Sequence, residues 1–202
     1  MLRKLPTLLL TTIAVLILAS PTLAGKYNKA LEIGDGAPSW ENLKGVDDKE
    51  HSLDDYKAAK VLVVVFTCNS CPVAVAYEDR LIALQKDYQD KEVQLVAINV
   101  NNIPPDRLEK MKERAASKDF NFPYLYDASQ SSAKEYGARV TPDVVVLDQD
   151  RNVVYLGAID DNMKADKVTK HYLRDALDAL LAGKTPATTE TNAFGCGIKW
   201  DK

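Results

Sequence analysis

Histidine occurs only twice in the 202 residues, at His51 and His171, and cysteine three times, at Cys68, Cys71 and Cys196. Two histidines leave little room for a histidine-rich metal centre or a serine–histidine–acid set, and no phosphate-binding loop is apparent. Basic residues are not in excess: 26 Lys and Arg stand against 29 Asp and Glu, for a net charge of −3. That balance excludes the basic patch expected of a nucleic-acid binder. Glycine and proline, nine of each, do not dominate, and neither internal repeats nor low-complexity blocks are found, so a solenoid or a long linker is excluded. Apart from short runs of strand length, only one long apolar stretch exists, and it lies at the start of the chain.

That stretch reads as a targeting segment. Arg3 and Lys4 form a basic start, Leu8 to Ala19 is apolar but for Thr11 and Thr12, and Thr22-Leu23-Ala24 offers small residues where a signal peptidase reads. We expect residues 1–24 to be a cleaved signal peptide, which places the protein in the periplasm or outside the cell. The run is too short to span a bilayer comfortably, so no stable membrane span is expected after cleavage. An uncleaved anchor is the alternative, and the lack of a cysteine after the run argues against a lipoprotein. In an exported protein disulfides persist, and with three cysteines at least one thiol is free, transient or intermolecular.

The remaining chain reads as one domain over 25–183, followed by a tail over 184–202 rich in threonine and small residues. Residues 25–50 look like an extended lead-in. Val61 to Phe66 is a continuous, β-branched run, as expected of a central strand buried on both faces. A helix is predicted from Pro72 to Tyr88, with Val73, Tyr77, Leu81, Leu84 and Tyr88 on one stripe and Glu78, Asp79, Gln85 and Lys86 off it. A second strand is predicted over 93–98, helices over 105–117 and 129–136, and an extended piece over 124–126. Strands over 144–147 and 153–156 flank a polar turn, and a last helix over 166–181 ends at Gly183. Alternating strands and helices make the early strands parallel, and the late hairpin must be antiparallel. The fold class is therefore α/β, a central mixed β-sheet with helices on both faces, which is the thioredoxin-like arrangement.

The chemistry centres on Thr67-Cys68-Asn69-Ser70-Cys71-Pro72, placed between a buried strand and an amphipathic helix. At a helix start two sulfurs three residues apart can approach bonding distance, and the helix N-terminus favours a thiolate. A static disulfide is the structural alternative. Half a zinc site is another, but no second Cys-x-x-Cys or paired histidine completes it, so no metal and no cofactor is expected. Pro72 suits the first helical position, which makes Cys71 the N-cap and the attacking sulfur, with Cys68 placed to resolve a mixed disulfide. Pro142, in Val140-Thr141-Pro142, precedes the late hairpin and resembles the cis-proline loop that faces the cysteine pair in thioredoxins; a strand-start proline is its plainer reading.

Over about Ile33 to Trp200 the chain resembles the peroxiredoxin-like branch of the thioredoxin-fold redoxin family. The pieces that carry the resemblance are Phe66-Thr67-Cys68-Asn69-Ser70-Cys71-Pro72, Tyr77-Glu78-Asp79-Arg80-Leu81, Phe122-Pro123-Tyr124-Leu125, Val140-Thr141-Pro142-Asp143 and Gly195-Cys196-Gly197-Ile198-Lys199-Trp200. The resemblance implies thiol chemistry, either disulfide exchange or peroxide reduction. It also shows departures. With Cys71 set on the peroxidatic cysteine, Cys68 stands in the threonine place, Val64 in the proline place, and the arginine place falls near Pro142. Thioredoxins have a tryptophan where this chain has Thr67, and a buried acid on the preceding strand where Val61 to Phe66 has none, so no nearby carboxylate for proton transfer is visible.

The expectation is thus an exported thiol–disulfide oxidoreductase using Cys71, Cys68 and Pro142, supported by Thr67, Pro72 and Thr141. Its partners would be protein or small-molecule thiols and disulfides, and a separate redox partner. A low-efficiency thiol peroxidase is the alternative. A Cu(I)-carrying metallochaperone on the same fold is a third reading, since Cu(I) prefers soft ligands, although the cysteine spacing and the missing histidine speak against it. Cys196 is read either as an additional resolving thiol or as a lone anchored cysteine. Asp160 and Asp161 are expected in a solvated loop, and Trp40 and Trp200 either cover the site or simply pack.

Overall fold

The computed structural model describes residues 25–201; the expected signal peptide lies outside them. Among the described residues no helix is long and apolar enough to cross a membrane. A seven-stranded sheet is built from β1 (Leu43–Gly45), β2 (Glu50–His51), β3 (Val61–Phe66), β4 (Val93–Asn99), β5 (Tyr124–Tyr126), β7 (Asp143–Leu147) and β8 (Val153–Gly157), in the order β2-β1-β5-β4-β3-β7-β8. β3 runs parallel to β4, and β4 to β5, whereas β7 is antiparallel to both β3 and β8. β6 (Val140–Thr141) stands apart from this sheet and pairs with β9 (Cys196–Gly197).

All six residues of β3 are buried, because the sheet is covered on both faces. Val61, Val63 and Val65 point to a core shared with α1 (Pro72–Tyr88), α2 (Leu108–Lys118) and α4 (Tyr172–Leu181), through Leu81 and Leu84, Met111, and Leu173 and Leu177. Leu62, Val64 and Phe66 point the other way, to Tyr136 beside α3 (Ser131–Glu135), to Leu53 of a 3-10 turn and to Leu31, Trp40 and Ile198 from irregular segments. Each fully buried side chain of this size contributes about 1.5–3 kcal/mol by leaving water. A central strand apolar on both faces is what fixes β3, and with it the loop that follows.

The structure corrects several element boundaries. Residues 25–50 are more than a lead-in, since β1 and β2 form a short hairpin that extends the sheet beyond β5. The helix expected from 105 starts at Leu108, because Arg107 is extended (φ −72°, ψ 158°) after a 3-10 turn at Pro104–Asp106. The last helix begins at Tyr172, not 166, with a separate turn at Ala165–Lys167. The expected helix over 129–136 shortens to α3. Asp127 fixes its start by accepting hydrogen bonds from Ser129 N, Ser132 N and Ser132 Oγ.

Gln85 and Glu78 lie off the apolar stripe of α1 yet are buried. Glu78 is held by the guanidinium of Arg114 in α2, at 2.6 and 2.8 Å. Asp160 is likewise buried rather than solvated, accepting from Tyr77 Oη at 2.6 Å and from Arg80. Asp161 is half-buried, and hydrogen bonds from Thr169 hold its carboxyl down at about 2. Trp40 is buried and packs on Tyr56, while Trp200 is exposed beside Lys134.

The tail packs back on the domain. Thr189 O accepts from Leu156 N and Leu156 O from Thr191 N, at 2.9 Å each, so the segment runs along β8. Further on, Ile198 N donates to Arg139 O, Lys199 N to Asn101 Oδ1 and Gln130 Nε2 to Lys199 O.

Candidate active site

β3 ends at Phe66, and Thr67 continues its direction by donating its N–H to Ile98 O at 2.9 Å. Cys68-Asn69-Ser70 then forms a loop whose two middle side chains are both fixed. Asn69 Nδ2 donates to Pro105 O, and Asn69 Oδ1 accepts from Tyr124 Oη. Ser70 donates its N–H and its hydroxyl to the carboxylate of Asp106, at 2.8 and 2.6 Å. Pro72 then takes the first helical position. Cys71 is the N-cap of α1, with Sγ accepting from Ala74 N at 3.4 Å. The geometry is that of an N-capping side chain, with sulfur in place of the usual oxygen.

The two cysteines meet Thr141 across the site. Thr141 Oγ1 lies 3.3 Å from Cys68 Sγ, and Thr141 O lies 3.1 Å from Cys71 Sγ. The peptide bond from Thr141 to Pro142 is cis. Cys196, on β9, is the register partner of Thr141 and packs against the cluster formed by Cys68, Cys71 and Ala74. Cys68, Cys71, Thr141, Pro142 and Cys196 are thus brought together. Thr67 contributes through its backbone, and Pro72 by starting the helix.

The environment separates the two thiols. A hydrogen bond from Cys68 lowers the Cys71 thiol against the opposing effect of burial, aided by Cys196, Ala74 N–H and Thr141. The proton stays on Cys68, which is pushed up by that same hydrogen bond, by burial and by the charge of Asp106. The carbonyl of Thr141 works the other way, since a thiol at Cys71 donates to it and a thiolate cannot. Several donors against one acceptor leave the thiolate favoured. The helix dipole alone adds only about 0.3–1 kcal/mol, below the ~1.4 kcal/mol of one pKa unit.

A nearby carboxylate is the feature that the sequence did not reveal. It comes from the loop after β4, not from β3. Cys68 Sγ lies 3.8 Å from Ser70 Oγ, which bonds Asp106 Oδ2, so a proton path leads from Cys68 to Asp106. The only sequence signal is an acid beside Pro104-Pro105, and no spacing ties it to Ser70. All three cysteines are reduced. Cys68 and Cys71 are 3% and 1% exposed, while Cys196 is only half-buried. A groove of about 520 Å³ lined by Asn69, Pro104, Pro105, Lys110, Glu113, Arg114 and Ser117 reaches the loop but neither sulfur.

Among the described residues no three His, Cys, Asp or Glu side chains are grouped to hold a metal ion. His51 bonds Asp47 and Tyr56 on β2, and His171 is exposed at the start of α4.

Comparisons with known proteins agree with this fold. The family model described as Redoxin matches residues 32–173. A hypothetical protein from Sinorhizobium meliloti 1021 is 36% identical, with a TM-score of 0.80 over 86% of this chain and 97% of its own. An uncharacterized conserved protein from Geobacillus kaustophilus is 38% identical, with a TM-score of 0.79 over 84% of this chain and 93% of its own. A putative thiol:disulfide interchange protein DsbE from Chlorobium tepidum shares the fold at 21% identity, with a TM-score of 0.56 over 62% of this chain and 84% of its own. A search of the curated proteins finds no match.

Proposed function

The chain belongs to the redoxin family, and we propose that within it this protein is an exported thiol–disulfide oxidoreductase using the Cys68–Cys71 pair. One observation carries the reading: Cys71 Sγ sits at the N-cap of α1 and faces Thr141, which also touches Cys68. In the reduced state Cys71 is the thiolate and Cys68 holds the proton. Cys71 attacks the sulfur presented to it and forms a mixed disulfide, expelling one thiolate. Cys68 then loses its proton toward Ser70 and Asp106 and attacks Cys71 Sγ. A second thiolate leaves and the Cys68–Cys71 disulfide remains. The substrate disulfide gains two electrons and the pair loses two; run backwards, the same steps oxidise a dithiol.

Peroxide reduction is the weaker reading, because the guanidinium that would orient a peroxide is not at the sulfurs. Arg80 is engaged by Asp160 and Arg114 by Glu78, and the partners of Cys71 are Thr141 O, Ala74 N and the other thiols. Export is supported by the basic start and apolar run of residues 1–24. With dithiothreitol as electron source, the protein should reduce the disulfides of insulin, and Cys71→Ser should abolish this. A peroxide reduction rate comparable with dedicated peroxidases, lost in Cys71→Ser, would overturn the assignment.

A further inference from the structure

The reactive sulfur is sealed. Cys71 is 1% exposed, and the segment that lies beside it is the tail. β9 pairs with β6 in the register Thr141↔Cys196, and the tail is tied down on both sides of Cys196. Upstream, Thr191 bonds Leu156 O through its N–H and Ala158 N through its Oγ1. Downstream, Ile198 N bonds Arg139 O and Lys199 N bonds Asn101 Oδ1. Phe194 packs edge-on against Tyr77 of α1, with ring centroids 6.2 Å apart. Gly195 lets the tail come this close, because a Cβ there would stand 2.0 Å from Thr141 O. Cys196 is therefore held against the Cys68–Cys71 cluster, and of the three thiols it is the one that solvent reaches.

We propose that Cys196 is the exchange thiol of this protein, passing disulfides between outside partners and the buried Cys68–Cys71 pair. The proposal rests on the reading that this pair cycles between dithiol and disulfide. In the reducing direction Cys196 gives its proton to solvent and attacks an external disulfide RSSR′ as the thiolate, giving Cys196–S–S–R and R′S⁻, which takes a proton from solvent. Cys71 then attacks Cys196 Sγ and expels RS⁻, forming a Cys71–Cys196 disulfide. Finally Cys68 loses its proton toward Ser70 and Asp106 and attacks Cys71 Sγ, and Cys196 leaves as a thiolate that takes a proton from solvent. The external disulfide gains two electrons, the pair loses two, and Cys196 ends as it began. In the oxidising direction an external thiolate attacks the half-buried Cys196 of the Cys71–Cys196 disulfide at its Sγ. Cys71 is then the leaving group, and a stabilised thiolate leaves fast; the Cys71 thiol is lowered by hydrogen bonds from its neighbours, that of Cys68 first.

Three variants of the full chain test this. Cys68→Ser treated with one equivalent of diamide should form an intramolecular Cys71–Cys196 disulfide, read by mass mapping. Adding Gly195→Ala, which keeps Cys196 but pushes β9 from Thr141, should prevent that bond. In Cys196→Ser, oxidation of the pair by glutathione disulfide should slow by about tenfold or more, while diamide should still close the Cys68–Cys71 disulfide. An unchanged rate with glutathione disulfide, with the first glutathione adduct on Cys71, would overturn the relay alone. No Cys68–Cys71 disulfide in the wild type even with diamide would overturn the pair reading and the relay with it.

Discussion

At the scale of single residues, the site depends on which atom holds each proton. Ser70 is the link between Cys68 and a carboxylate, through a 3.8 Å contact to sulfur and a 2.6 Å hydrogen bond to Asp106. Ser70→Ala should leave the attack by Cys71 intact and slow the closing attack by Cys68. The expected loss is on the order of tenfold, below the usual range for positioned acids and bases because the sulfur contact is long. Rapid-quench mapping separates the two steps, and equal slowing of both would remove Ser70 from the proton path. Cys68, Cys71, Thr141 and Pro142 were legible in the sequence because strand, helix start and pre-hairpin proline each leave a local pattern. Asp106 was not, because its partner lies 36 residues earlier in the chain, and only the parallel pairing of β3 and β4 brings their following loops together.

At the scale of elements, α1 shows why a helical stripe is an incomplete guide to burial. β5 pairs with β4 only from Ala97 onward, so the start of β4 lacks a strand neighbour on that side. Gln85 takes the missing strand's place. Its Oε1 accepts from Leu95 N at 2.6 Å and its Nε2 donates to Val93 O at 3.3 Å. Gln85→Ala should therefore cost about 1–3 kcal/mol, the penalty for leaving buried backbone groups unpaired. A lower urea midpoint at unchanged slope would show it, and no shift would mean water replaces the amide. Long elements such as β3 and α1 were readable from period and composition. The hairpin of β1 and β2 was not, since three and two residues are too few to show alternation. The tail gave no strong signal because its order comes from hydrogen bonds to β8, Arg139 and Asn101, not from its own propensity.

At the scale of the whole molecule, pH acts on stability through Asp143 as well as through the thiols. Burial raises its carboxyl from 3.8 to about 7, against the Arg139 N–H and charge. A carboxyl raised in the folded state binds its proton more tightly there than in the unfolded chain. Its contribution is thus fully present below about 4 and is lost as pH rises through about 7. Relative to Asp143→Asn, the protein should lose a few kcal/mol across that window. The comparison is best made on the disulfide form, in which Cys71 does not titrate and cannot contribute its opposite slope. Parallel stability curves for the two proteins would show that Asp143 is ionised throughout. The proposed chemistry turns on which sulfur is the thiolate, and the ultraviolet absorbance of the reduced protein against pH reads this without a reagent having to reach a buried atom. The expected result is a thiolate transition well below the ordinary cysteine value that vanishes in Cys71→Ser and persists in Cys68→Ser. A low transition that survives Cys71→Ser and vanishes in Cys68→Ser would contradict it.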